Sequence, residues 1–69
     1  MTDNVYSITE IVGSSTKSIE DAIRNAVATA SESVRNIEWF DVVGTRGWVE
    51  SGKVQHFQVT IKLGFRYEK

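Results

Sequence analysis

From His56 to Tyr67 the chain alternates polar and apolar residues without a break. Phe57, Val59, Ile61, Leu63, Phe65 and Tyr67 fall on one parity, and His56, Gln58, Thr60, Lys62, Gly64 and Arg66 on the other. Period-two alternation over this length predicts a strand buried on one face and polar on the other. The chain must therefore supply a cover for the apolar face.

The cover lies upstream. Ile19, Ala22, Ile23, Ala26, Val27, Ala30, Val34 and Ile37 recur at spacings of three and four, which draws one apolar stripe down a helix of roughly five turns. Ser18 reads as its N-cap, with Asp21 three residues on as a short-armed capping box. Glu20 and Asp21 suit the positive end of the helix dipole, and Arg35 the negative end. The alanines in the stripe imply close packing against a sheet.

Two further strands flank the helix. Asn4 to Val12 is rich in β-branched and aromatic residues and reads as the first strand. Gly13-Ser14-Ser15-Thr16 reads as the loop that follows. Trp39 to Val49 forms the second strand, with Trp39, Asp41, Val43 and Thr45 on one parity and Phe40, Val42, Gly44 and Arg46 on the other. Gly44 and Gly47 mark a possible bulge, which leaves the faces beyond Val43 open. Glu50-Ser51-Gly52-Lys53 is a hairpin turn. The order is β-α-β-β, an α+β fold. A helical crossover makes the first two strands parallel, so placing the third between them gives a three-stranded antiparallel sheet packed on one long helix. There is no internal repeat or linker, and residues 1–69 read as a single domain.

A chain of 69 residues buries only about 60% of its unfolded surface and has little core to spare. No cysteine is present, and the single histidine, His56, has no metal-ligating companions, so neither disulfide nor metal supplements the core. Self-association is the remaining supplement, and an open polar sheet face with two bare edges invites it. Eight basic and nine acidic residues give a net charge of −1, scattered rather than clustered, which argues against nucleic acid as a partner. No apolar run approaches the ~20 residues of a membrane span, and the N-terminus lacks a signal-peptide pattern. The expectation is a cytoplasmic protein.

Few residues carry chemistry. Trp39, on the parity opposite the helix-facing Phe40 and Val42, is either a packing anchor or a stacking surface for a planar ligand. Gln58 offers both a carbonyl acceptor and an NH₂ donor, which can meet the alternating edge of a pyrimidine-like ring. Arg46 and Arg66 are either surface charges or bidentate phosphate contacts. An aromatic plate, a carboxamide and a guanidinium brought together would suit a flat polar heterocycle bearing a phosphate. Trp48 and Tyr67 read as packing aromatics. Nucleophile elbows, P-loops and metal clusters are absent, and the complete lack of proline excludes the amino-terminal proline chemistry of small β-α-β tautomerases.

Trp39-Phe40, Arg46-Gly47, Gly52-Lys53-Val54, Phe57-Gln58-Val59-Thr60 and Lys62-Leu63-Gly64-Phe65-Arg66, set on a β-α-β-β chain of this length, resemble the dodecin family of flavin-binding proteins across essentially the whole chain. The resemblance implies a hollow homododecamer whose sheets partly wrap the helices. It implies flavins bound in pairs at two-fold interfaces, sandwiched between Trp39 residues of two subunits, with Gln58 on the pyrimidine edge of the isoalloxazine. Arg46 and Arg66 match the bacterial type associated with FMN; forms favouring riboflavin or other unphosphorylated flavins carry an acidic residue at the position of Arg46. The implied role is non-catalytic: storage or sequestration of flavin and quenching of its photochemistry, with no enzyme activity. Some bacterial members also hold coenzyme A. Trp48 departs from the pattern, since many relatives carry histidine after Arg-Gly. The competing reading is a structural module that oligomerises through its sheet face without a flavin.

Overall fold

The computed structural model describes residues 3–67. Strand β1 spans Tyr6–Ser15, helix α1 Ile19–Ala30, strand β2 Ile37–Glu50 and strand β3 Lys53–Arg66. The sheet order is β1-β3-β2, with both pairings antiparallel, so β3 is central, as its alternation requires. Val59, Ile61 and Leu63 are fully buried beneath Ala22 and Ala26 of the helix. Each of those three side chains contributes about 1.5–3 kcal/mol by leaving water. Ile11, Ile23, Val27, Ala30 and Ile37 pack around this centre.

Three local expectations are corrected. Gly13, Ser14 and Ser15 belong to β1 rather than to a loop, because pairing with β3 continues through Ser15↔Phe57. Gly13 faces the helix there: a Cβ would overlap the Ala22 carbonyl oxygen and come within 2.8 Å of Ala26 Cβ. The glycine thus permits close helix–strand approach rather than a turn. Ser15 in turn prepares the helix start, its hydroxyl donating to Asp21 Oδ2 at 2.8 Å and accepting from Lys17 N at 2.9 Å. Ser18 is the N-cap as expected, accepting from Asp21 N at 3.0 Å.

The helix is also shorter than its stripe, at 12 residues. Ser31 turns its hydroxyl back to the Val27 carbonyl at 2.7 Å, residues 31–33 form a turn, and Asn36 adopts a left-handed backbone at φ 64°, a conformation asparagine tolerates better than most residues. Val34 and Ile37 therefore continue the apolar spacing outside the helix, and Arg35 lies beyond its last turn. At the other connection Ser51 and Gly52 both have positive φ, 51° and 75°, forming the two-residue loop that matches the twist of a tight hairpin.

Strand β2 is irregular. Its register against β3 shifts between Ile37 and Trp39, between Val42 and Gly44, and between Trp48 and Val49; in the first two, Glu38 and Val43 are extra residues on β2. Each bulge inverts the side to which later residues point. Phe40 and Val42 pair with Leu63 and Ile61 on the helix side of the sheet. The helix, however, packs on β1 and β3 and leaves these two residues 48% and 47% exposed. The chain is correspondingly extended: its radius of gyration is 14.3 Å, against roughly 11 Å for a compact domain of this length. Its accessible surface is 5167 Å², against roughly 4,400 Å² for a folded monomer of this mass. Among the described residues, no helix is long and apolar enough to cross a membrane.

Candidate functional site on the open sheet face

The side of the sheet away from the helix carries the even-numbered residues of β3, and the register sets their neighbours. Gly64 lies between Ile8 and Trp39, Lys62 between Glu10 and Asp41, Thr60 between Val12 and Gly44, and Gln58 between Ser14 and Arg46. The bulge at Val43 is what brings Arg46 onto the face of Trp39, since strict alternation would have placed them on opposite sides.

Trp39 is seated by Gly64. A Cβ at Gly64 would overlap the six-membered ring of the indole, so only glycine leaves room for the ring to lie against the strand. Tyr6 packs beside it, with ring centroids 6.0 Å apart and planes inclined at 59°. Trp39 nevertheless remains 37% exposed.

A hydrogen-bonded frame surrounds this indole. The Tyr6 hydroxyl donates to Glu38 Oε1 at 2.9 Å. Arg66 Nη1 donates to Glu38 Oε2 at 3.1 Å, and Nη2 to Asn36 Oδ1 at 3.5 Å. The backbone completes the corner, with Arg66 N donating to the Asn36 carbonyl at 3.0 Å. Tyr6, Glu38 and Gly64 were not singled out by sequence. A glycine inside an alternating strand, the usual mark of a close approach, was the available signal for Gly64.

Of the sequence-derived site residues, Trp39 and Arg66 stand together at one end of the sheet, and Gln58 and Arg46 pair at the other. Gly64 lies six residue steps along β3 from Gln58, about 20 Å at 3.3 Å per residue. One chain therefore does not gather the full set around a single planar ligand. Beyond Gln58, Trp48 stacks on His56 with centroids 5.7 Å apart and an interplanar angle of 7°, while remaining 52% exposed. Among the described residues, no group of three or more histidine and acidic side chains stands ready to hold a metal ion.

Comparison with known proteins decides the family. The dodecin family model matches residues 5–68. The chain belongs to the dodecin family. Members are oligomeric flavin-binding proteins rather than enzymes. Dodecin from Thermus thermophilus is 38% identical over 65 residues, covering 94% of each chain. The structure of dodecin from Streptomyces coelicolor superposes with a TM-score of 0.94 at 46% identity, over 100% of this chain and 99% of that one. Dodecin from Streptomyces davaonensis gives 0.93 at 41% identity, over 99% and 100%. The β-α-β-β order and antiparallel sheet described above are thus those of dodecins.

Proposed function

We propose that this chain holds flavin reversibly in the cytoplasm, stores or sequesters it, and quenches its excited state without turning over a substrate. The observation that carries the reading is the exposed indole of Trp39, seated on Gly64 with Arg66 two residues further along the same strand, in a member of the dodecin family. An electron-rich indole stacks well on an electron-poor tricyclic ring, and such stacking is worth about 1–3 kcal/mol per ring in the nucleic-acid case.

The separation of Trp39 and Arg66 from Gln58 and Arg46 supports a site shared between copies. In this reading, Trp39 residues of two subunits sandwich a flavin pair, and Gln58 meets the pyrimidine edge. Arg46 and Arg66 take the phosphate of FMN, so FMN is preferred to riboflavin. The assembly is a hollow homododecamer. The exposed apolar side chains on both faces of β2, Trp39 on one and Phe40 and Val42 on the other, favour extensive subunit contact.

The test is a titration of FMN into flavin-free protein. Loss of flavin emission at a stoichiometry near one per subunit is the expected result, and Trp39→Ala removes both quenching and affinity. An oligomer that leaves flavin emission unchanged favours the alternative, an assembly module without a ligand.

A further inference from the structure

Glu38 is the extra residue of the first β2 bulge, and its carboxylate lies between two donors. One oxygen accepts from the Tyr6 hydroxyl at 2.9 Å and the other from Arg66 at 3.1 Å. It is the immediate neighbour of Trp39, and the bulge that aims the indole at Gly64 also aims this carboxylate at Arg66. The guanidinium and carboxylate are both partly solvated, with side-chain exposures of 40% and 35%.

Resting on the flavin-holding function proposed above, we propose that Glu38 determines phosphate selectivity at this site: it competes with the ligand's phosphate for Arg66 and so limits the preference for phosphorylated over unphosphorylated flavin. The chemistry follows from charge. Arg66 paired with Glu38 presents little net charge to an approaching anion, and a phosphate must either displace the carboxylate or bind beside it against like-charge repulsion. Riboflavin has no such group and meets no such competition. A solvated pair of this kind is weak, so the phosphate can displace it and binding stays reversible. Glu38 acts on the ligand through Arg66 and is a positioning residue rather than a direct contact.

The experiment measures the ratio of riboflavin to FMN dissociation constants by fluorescence quenching, in wild type and in Glu38→Gln. The variant keeps an acceptor for Tyr6 and removes the charge. The ratio is expected to rise about two- to fivefold, the range of an exposed ion pair. In an Arg66→Ala background the same substitution should leave the ratio unmoved, because the competition has lost its object. Glu38→Ala gives the same rise and serves if the Gln variant does not fold. An unchanged or lowered ratio, or an equal rise without Arg66, overturns the role of Glu38. Wild-type protein that binds neither flavin overturns the functional reading as well, which separates the two failures.

Discussion

The indole of Trp39 occupies the space that a β-carbon on Gly64 would need. The position of the exposed indole is therefore set by an absence on the neighbouring strand as much as by the aromatic residue itself. In Gly64→Ala the ring must swing away from the sheet, and because Trp39 is partly exposed it can do so without disrupting the core. Flavin affinity should fall at least tenfold, while thermal stability at fixed protomer concentration shifts by no more than about 1–3 kcal/mol. Fluorescence titration and calorimetry separate the two effects.

Gly13 makes the complementary prediction, because its contact is with backbone. A methyl group there meets the Ala22 carbonyl oxygen and Ala26 Cβ, neither of which can rotate aside. Gly13→Ala should lose about 1–3 kcal/mol or more through overpacking between β1 and the helix. Denaturant unfolding at a fixed subunit concentration measures it.

Ser18 caps the helix through a single 3.0 Å bond to Asp21 N. Ser18→Ala should cost about 0.5–2 kcal/mol, in the usual range for a lost cap. Flavin affinity should stay within twofold of wild type, since the cap lies on the helix side of the sheet.

Removing Arg66 tests the phosphate contact directly. Arg66→Ala should narrow the preference for FMN over riboflavin by about tenfold, the order expected for one lost charge-assisted hydrogen bond. Parallel titrations with the two flavins read this ratio, and an unchanged value removes Arg66 from the site.

Val42 lies on the helix side of the sheet yet is uncovered by its own helix. If another subunit covers it, Val42→Asp places a charge in an apolar contact and should lower the solution mass. Light scattering reads the outcome, and an oligomer of unchanged mass excludes this surface from the assembly.

Much of this architecture is legible in the sequence because its signals are local. The period-two run of β3 and the three-four spacing from Ile19 to Ala30 each reflect one element turning a single apolar face to the core. The misreadings arise where distant contacts prevail. Gly13-Ser14-Ser15 has the composition of a loop, yet β3 holds it extended, and the helix needs its glycine. Val34 and Ile37 keep the helical spacing by coincidence of position, while the helix ends at Ala30, with Ser31 as its C-cap and a turn over residues 31–33. At the candidate site, Trp39 and Arg66 are legible as residue types, but the frame of Tyr6, Glu38 and Gly64 is not. It depends on a bulge at Glu38, and β2, exposed along most of its length, has no clear alternation in which an inserted residue would show as a shift of phase. The same limit concealed that Arg46 shares the face of Trp39.

The irregularity of β2 also bears on how the protein can grow. β2 is an outer strand, and a straight outer strand with free amides and carbonyls can recruit further strands indefinitely, as in filaments. Bulges at Glu38 and Val43 break the pleat twice along this margin, so a flat incoming strand cannot stay in step with it. End-to-end polymerisation through backbone hydrogen bonds is thereby discouraged, and the contacts left to the chain run through side chains on its faces, where geometry can close on itself and stop.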